Sequence, residues 1–325
     1  MPRWGQILEE LNQTQPPDFD GVRRRYLDQL HRHTDRTVVL YASGWLQKPG
    51  IPSGLTSIND EDIHALMEVT AGIASENLDL ILHSPGGFPE AAEGIVTYLR
   101  SRFQNIRVIV PQLAMSAATM IACAADEVVM GKHSFLGPVD PQFPIGDQLV
   151  PAGAILDQFH RAQEECADPA KLAAWLPLLQ RYHPGLLSQC RRAEELSKEL
   201  VRTWLGTYMF PDAEDREQRA EDIAEWLSNH RTFKSHSRHL SKAVLEEHGM
   251  IVSALEEDDD LQDLCLSVFH AATHTLSATP AAKIVENHEG KAHIKQANPV
   301  AVNIQGPIQL PQLQPPTPDP NAAPA

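Results

Sequence analysis

The sequence predicts an α/β protein in which helices cover a parallel β-sheet. The apolar run Leu78–Leu82 is short enough to be a buried strand, and a second apolar run, Ile106–Val110, is closed by Pro111. A helix-length segment separates the two runs, and strand-like and helix-like segments continue to alternate on either side. Because parallel neighbours need a crossover connection, this alternation is typical of a parallel sheet.

The predicted strand Leu78–Leu82 leads into a turn with two consecutive glycines, Ser84–Gly87, which reads Ser-Pro-Gly-Gly. No side chain shields the backbone N–H groups of Gly86 and Gly87. Unshielded N–H groups at such a turn can bind an oxyanion, the negatively charged oxygen that forms during acyl transfer.

Ser116 stands at the start of a run of small residues that extends to Ala125 and predicts a tightly packed helix. Helix N-termini favour developing negative charge. One serine opposite a two-glycine turn is therefore a layout for acyl transfer. The residues alone leave a second interpretation open, in which Ser116 is a small residue needed for close helix packing beside Ala114, Ala117 and Ala118.

The chain divides into four predicted regions. Residues 1–36 form an N-terminal helical arm, residues 37–151 form the α/β core, and residues 152–295 form a helical insertion and a C-terminal helical section. Residues 296–325 are rich in Pro, Gln and Ala, carry little charge and show no periodicity, so we expect this tail to be disordered.

The composition indicates a globular protein without a nucleic-acid partner. The 325 residues are 42% apolar, which suffices for a sizeable core. The formal net charge of −16 disfavours nucleic acid, because phosphate binding requires clustered Lys and Arg. No apolar run approaches the length of a bilayer span, and the amino terminus lacks the apolar core of a signal peptide, so we expect a cytoplasmic protein with no integral membrane segment.

The cysteines and histidines predict neither a disulfide framework nor a metal centre. The four cysteines are widely spaced and include no CxxC pair. His270 and His274 have the i, i+4 spacing of zinc-binding helices, but no Glu follows His270, and a helix-face pair without metal is the favoured interpretation. We expect no cofactor.

Four segments together carry a family resemblance: SGWLQKPG (43–50), LDLILHSPGGFPEAAEGIVTYLR (78–100), VPQLAMSAATMIACAADEVVMGKHSFLGPVDPQF (110–143) and FKSHSRHL (233–240). They resemble the serine dehydrogenase proteinase family, whose distant relatives are the proteolytic subunit of the Clp protease and signal peptide peptidase A. The long block around Ser116 is the specific one, because SPGG alone occurs in many unrelated loops. The resemblance covers most of the chain up to about residue 295.

The resemblance implies a fold, an activity and partners. The fold is the Clp/crotonase-like α/β fold of repeated ββα units, here with a helical insertion and C-terminal helices that complete the active site. The activity is that of a ClpP-like serine peptidase, which hydrolyses peptide bonds through an acyl-enzyme on Ser116. A protein or peptide substrate and a homo-oligomer are then expected, since related folds assemble into rings or larger oligomers.

The resemblance also implies the residues of the oxyanion hole. In the Clp pattern the donors are the N–H groups of the first glycine and of the residue after the serine, which match Gly86 and Ala117. Gly87 is then expected to keep the turn open.

The catalytic base is harder to assign, because the sequence departs from both better-known relatives. No lysine lies between Lys132 and Lys171, which disfavours the Ser–Lys dyad of signal peptide peptidase A, and an Asp-Pro step stands where the Clp subunit has its histidine. The family itself is described as using Ser, then Asp, then His, an order that Asp140 and His236 match. His239 is the alternative base.

Alternatives exist for these residues and for the whole protein. Asp140 before a proline is also typical of a turn acid, and His236 of a basic surface patch. A crotonase-type acyl-thioester-binding enzyme would use the same N–H groups to stabilise an enolate without a nucleophile. A catalytically silent oligomeric scaffold would need neither the N–H groups nor a nucleophile.

Overall fold

The computed structural model describes residues 4–146 and 148–297, so the predicted tail lies outside the described residues from position 298 onwards. The described residues contain eleven strands. Their bounds are β1 (Thr37–Ser43), β2 (Asn77–His83), β3 (Asn105–Val110), β4 (Leu113–Ala114), β5 (Glu127–Met130), β6 (Phe135–Leu136), β7 (Gln142–Ile145), β8 (Gln148–Pro151), β9 (Val252–Ala254), β10 (Ala281–Asn287) and β11 (Ala292–Gln296).

Seven of these strands form one mixed sheet in the order β11-β10-β1-β2-β3-β5-β9. Strands β1, β2, β3, β5 and β9 run parallel, whereas β10 is antiparallel to β1 and β11 is antiparallel to β10. The runs predicted at 78–82 and 106–110 are the central strands β2 and β3. The predicted α/β class is confirmed, but the sheet is mixed rather than purely parallel.

Twelve α-helices within the described residues surround the sheet. Their bounds are α1 (Trp4–Leu11), α2 (Phe19–Thr34), α3 (Glu61–Thr70), α4 (Pro89–Arg102), α5 (Ala117–Cys123), α6 (Ala152–Glu165), α7 (Pro169–Leu179), α8 (Leu186–Trp204), α9 (Arg216–Ser228), α10 (His230–Phe233), α11 (Lys242–Glu247) and α12 (Asp259–Ala278).

Both faces of the central strands are buried. Successive residues of a strand point to opposite sides, and helices cover each side. In β1, Val39 and Tyr41 face a core shared with α3, α4, α5, α8 and α9. Val38 and Leu40 face a second core shared with α2 and α12. This two-sided burial explains the nearly continuous apolar runs from which the strands were predicted.

Strands β9, β10 and β11 were not foreseen, since residues 152–295 were expected to be helical. β10 is difficult to recognise because it carries Lys283, Glu286 and Asn287, yet all seven of its residues are buried. Each polar side chain has a partner from a distant segment: Lys283 binds Asp62, Glu286 binds two arginines of α2, and Asn287 binds a carbonyl oxygen of α3. Such pairing cannot be inferred from local periodicity.

A second, smaller set of strand contacts lies beyond the carboxyl ends of the main strands. β4 pairs with β6 in parallel, and two isolated parallel bridges join Ser84 to Ala114 and Ile58 to Gly87. These contacts bring the two-glycine turn, the segment before α3 and the start of α5 to one edge of the sheet. Ligand sites in α/β proteins commonly lie at this edge.

None of the helices in the described part of the chain combines the length and apolar character that a membrane crossing requires.

Candidate active site

Ser116 occupies a sharp turn between β4 and α5. Its φ of 52° and ψ of −119° lie in a region that residues with a side chain rarely adopt. Its side chain makes no capping hydrogen bond to α5, so helix capping does not account for a serine here. A strained residue on a tight strand-to-helix turn is the arrangement that exposes the nucleophilic serine of α/β-hydrolases.

The two-glycine turn packs directly against Ser116. Gly86 has a φ of 93°, and a methyl group in its place would lie 2.5 Å from Met115 O and 2.7 Å from Ser116 Cβ. On the other side, a methyl group at Gly87 would lie 2.2 Å from Ile58 O. Glycine is therefore required twice, because the turn is held between two backbone segments at contact distance.

The N–H groups expected to form the oxyanion hole lie around this contact. Ala117 is the first residue of α5, and the first N–H groups of a helix have no partner within it. The position of a methyl group at Gly86 would be 3.0 Å from Ala117 N, so the two residues are neighbours. Gly86 N–H itself donates to Ser84 Oγ over 3.2 Å, the long end of the hydrogen-bond range. Gly87 lines the same cleft.

Asp140 and His236, which are 96 residues apart, are brought together. His236 Nδ1 lies 2.8 Å from Asp140 Oδ1, and Gln142 Nε2 donates to the other carboxylate oxygen over 2.7 Å. The Asp140 side chain is 4% exposed and that of His236 is 28% exposed. The acid is thus buried and the imidazole remains open to the cleft.

Backbone pairing holds the His236 loop against strand β6, on the cleft that Ser116 also lines. Leu240 forms an antiparallel bridge with Leu136 of β6, with N···O distances of 3.1 and 2.9 Å in the two directions. Val139 N–H donates to Leu227 O at the end of α9, which fixes the segment that carries Asp140. The helical region after residue 151 therefore supplies one side of the cleft.

The cleft has a volume of about 610 Å³ and is lined by both Ser116 and His236. Gly86 and Gly87 form part of its wall, and its other lining side chains are mainly apolar. Among these are Phe88, Met120, Val139, Phe143, Leu149 and Leu196. Phe88 and Leu149 are 62% and 69% exposed, so they offer apolar surface at the rim.

His239, the alternative base, lies elsewhere. Its ring stacks on Phe135 with centroids 5.0 Å apart, and it is exposed to solvent. Of the two histidines in the segment, His236 is the one that lines the cleft and contacts Asp140.

Two features near the site were missed from the sequence. Gln142 holds the second oxygen of Asp140, and a glutamine two residues after an aspartate is too common to signal this. His83, the last residue of β2, is almost fully buried beside the rings of Trp45 and Phe269, and burial lowers its pKa from 6.5 to about 3. A neutral imidazole thus lies next to the glycine turn.

The His270 and His274 pair does not come with further metal ligands. His274 Nε2 is 3.0 Å from Trp4 O, and its ring packs on the Trp4 indole. Burial, with the charges of His274 and His133, lowers the pKa of His270 to about 4. Across residues 4–146 and 148–297, no group of three or more His, Cys, Asp or Glu side chains is arranged to hold a metal ion.

Comparison with known proteins assigns the chain to a family. Residues 23–174, which include Ser116 and Asp140, match the model of the ClpP-like SDH-type serine proteinases. The chain is also 36% identical over 219 residues to the uncharacterized protein MJ0137 of Methanocaldococcus jannaschii, covering 63% of this chain and 74% of that protein. The chain belongs to the ClpP-like SDH-type serine proteinase family. This confirms the resemblance seen in the sequence.

A second relative in the same organism, the uncharacterized protein MJ1495, is 35% identical over 140 residues. The matched segment covers 40% of this chain and spans about half of that relative, 47% of its length. The ClpP-like SDH-type model ends before His236, which lies 62 residues beyond its last matched position. The family match therefore includes Ser116 and the two-glycine turn but not the candidate base.

Proposed function

We propose that this protein is a serine peptidase that hydrolyses peptide bonds in a protein or peptide substrate through an acyl-enzyme on Ser116. One observation carries the proposal: a strained serine faces a glycine turn in a cleft that is also lined by a histidine bonded to a buried carboxylate. Family membership supports the reaction class.

The geometry suggests a role for each residue. His236 binds Asp140 through Nδ1, which leaves Nε2 to take the proton from Ser116 Oγ and later to pass it to the leaving amine. Asp140 holds that tautomer and stabilises the imidazolium. Attack of Oγ on the substrate carbonyl forms the acyl-enzyme, which water then hydrolyses with His236 acting again as base and acid.

The N–H groups of Gly86 and Ala117 are the proposed oxyanion donors. They adjoin the nucleophile, and Ala117 adds the partial positive charge of a helix start. Since Gly86 N–H is bonded to Ser84 Oγ, it must share or release that long bond when the oxyanion forms. Gly87, the next residue of the turn, keeps the turn open.

We further propose that the core, residues 37–151, is built of the stacked ββα units of the Clp/crotonase fold. Support comes from the short parallel contacts after the main strands, in which β4 pairs with β6 and single residues bridge after β1 and β2. Residues 152–295 complete the active site in this proposal, because they supply His236. A homo-oligomer and a cytoplasmic location remain proposals from the family resemblance and the composition.

Two other functions use the same features differently. A crotonase-type enzyme acting on acyl-thioesters would need the paired N–H groups but not an Asp–His pair beside a serine. A catalytically silent scaffold would need none of them. The contact between His236 and buried Asp140 in the cleft favours the peptidase.

Labelling with a fluorophosphonate probe tests the proposal. The wild-type protein should form a phosphonyl adduct on Ser116, and Ser116→Ala should abolish both the adduct and peptide hydrolysis while leaving folding nearly unchanged. Ser101→Ala, which removes an exposed hydroxyl on α4, is the control and should label normally. Folded wild-type protein that never labels or hydrolyses would favour the scaffold, and thioester turnover that survives Ser116→Ala would favour the crotonase-type enzyme.

A further inference from the structure

A buried ion pair lies directly behind the two-glycine turn. Lys283 of β10 and Asp62 of α3 have side chains that are each 2% exposed, and Lys283 Nζ lies 2.8 Å from both oxygens of Asp62. Tyr41 OH of β1 donates to Asp62 Oδ2 over 2.8 Å. Two of these residues, Tyr41 and Asp62, lie inside the segment matched by the family model, whereas Lys283 lies beyond it.

The other side-chain hydrogen bonds of Lys283 and Asp62 go to one short segment, residues 56–59, which we call the support segment. Lys283 Nζ donates to Ser57 O over 2.7 Å, and Asn59 N–H donates to Asp62 Oδ2 over 3.0 Å. Ser43 Oγ, at the end of β1, donates to Thr56 O over 2.7 Å. The backbone of the support segment is therefore anchored at three residues, Thr56, Ser57 and Asn59, to buried side chains.

The support segment in turn holds the two-glycine turn. Ile58 N–H donates to Gly86 O over 2.8 Å, and Phe88 N–H donates to Ile58 O over 3.0 Å. Gly87 lies so close to Ile58 that any side chain would collide with its backbone. On its far side the turn touches Ser116 and Met115, so its distance from the nucleophile depends on the position of the support segment.

Lys283 is unsuited to be a base for Ser116. The three donor positions of its ammonium group are taken by the two Asp62 oxygens and Ser57 O, and the basic side chain that lines the cleft with Ser116 is His236 instead. Burial lowers the pKa of Lys283, but Asp62 opposes that effect and favours the charged form. The pair thus acts as a fixed structural charge pair.

We propose that Asp62 and Lys283 are positioning residues, which hold the support segment and through it set the distance between the oxyanion turn and Ser116. This inference rests on the proposed peptidase function. Oxyanion stabilisation depends steeply on donor placement, so a small displacement of the turn lowers the rate without touching the serine or the histidine.

The test compares Lys283→Met with Lys295→Met. Lys295 lies on the neighbouring strand β11 and pairs with Glu61 of the same helix α3 over 2.5 Å, but Glu61 is mostly exposed and the pair makes no bond to the support segment. Fluorophosphonate labelling of Ser116 should slow at least about tenfold in Lys283→Met and stay within about twofold of wild type in Lys295→Met. The pH at which labelling reaches half its plateau should be unchanged in both, because His236 and Asp140 are not involved.

Two further variants separate positioning from stability. Lys283→Met leaves Asp62 buried without its counter-ion, which destabilises the fold, whereas Asp62→Leu combined with Lys283→Met removes both charges and should recover stability. Labelling should nevertheless stay slow, because Ser57 O and Asn59 N–H have lost their anchors. Tyr41→Phe removes one bond to Asp62 and should give a smaller decrease in a stably folded protein. Recovery of the rate along with stability in the double variant would overturn the inference.

Amide hydrogen exchange provides a readout that does not depend on activity. The N–H groups of Ile58 and Phe88 should exchange faster in the double variant than in wild type, whereas those of β2 should not. Wild-type protein that never reacts at Ser116 would refute the proposed function and this inference with it. A wild type that reacts, together with variants of unchanged rate and unchanged exchange at Ile58 and Phe88, would refute only the inference.

Discussion

The two walls of the cleft are built in different ways. The glycine wall consists of the turn Ser84–Gly87 and the Ser116 turn, which join elements close in sequence and touch through backbone atoms. The histidine wall consists of Asp140 and the loop 234–240, which meet through one side-chain hydrogen bond across 96 residues. The glycine wall is constrained by steric contact. In the histidine wall, backbone hydrogen bonds hold the segments, and the two side chains are joined by a polar contact that is partly open to solvent.

The difference implies different sensitivity to substitution. In the glycine wall, any added atom must displace a backbone segment, so even small changes should be severe. In the histidine wall, the chemical identity of one ring matters, and neighbouring side chains should be replaceable with little effect.

A large effect on turnover is expected from breaking the glycine wall. Gly86→Val places a side chain against Met115 O and Ser116 Cβ at a residue with positive φ. It should cost about 3 kcal/mol of transition-state stabilisation, which lowers turnover roughly 150-fold. Gly5→Val is a control, because a methyl group at Gly5 meets no heavy atom within 4 Å. Normal turnover by folded Gly86→Val would show that the oxyanion hole is elsewhere.

A smaller effect is expected on the stability of the protein at acidic pH, through His83, which directly precedes the glycine turn. Burial lowers the pKa of His83 from 6.5 to about 3. Between these two pH values the unfolded state binds more protons than the folded state. The free energy of unfolding therefore decreases as the pH falls below 6.5. At pH 5, His83 should contribute about 2 kcal/mol of destabilisation relative to pH 8. In denaturant unfolding, His83→Phe should therefore lose less free energy of unfolding than the wild type between pH 8 and pH 5.

Exposed His160 supplies the comparison for that experiment. His160→Phe should keep the wild-type dependence of unfolding free energy on pH. If His83→Phe and the wild type lost equal stability between pH 8 and pH 5, the buried neutral imidazole would not be the cause.

The smallest effect is expected from removing the C-terminal tail. Ala297 N–H still bonds to Pro280 O, so the cut belongs after this residue. The composition of residues 298–325 offers little to a core, and their removal should leave the melting temperature and the labelling rate essentially unaltered. A large drop in either would show that the tail docks on the folded protein.

The glycine wall could be predicted from the sequence because its geometry is local. A few neighbouring residues indicate the conformation of each of its parts: a short apolar strand, a Pro-Gly-Gly turn, and a serine before a helix of small residues. The histidine wall could not be derived in this way. Asp140 and His236 were paired only by their order in the family resemblance, since no local pattern reveals which of His236 and His239 enters the cleft.

The support behind the glycine wall was not predicted at all. In the sequence Lys283 resembles an ordinary surface lysine, and it becomes a buried residue only because Asp62, 221 residues away, lies beside it. The same holds for Glu286, which is buried because Arg23 and Arg24 bind it. Charged residues with distant partners interrupt the apolar run of β10, and this is why the sequence predicts a helical section where the structure has a strand.

The central claim, that His236 of the histidine wall activates Ser116 of the glycine wall, is tested most directly by the rate of fluorophosphonate labelling in His236→Ala and His239→Ala. We predict a decrease of about a thousandfold or more for His236→Ala, close to the loss in Ser116→Ala, because the two residues act in one step. His239→Ala should stay within about threefold of wild type, since its ring packs on Phe135. A folded His236→Ala protein that labels at the wild-type rate, or a severe loss in His239→Ala instead, would contradict the account.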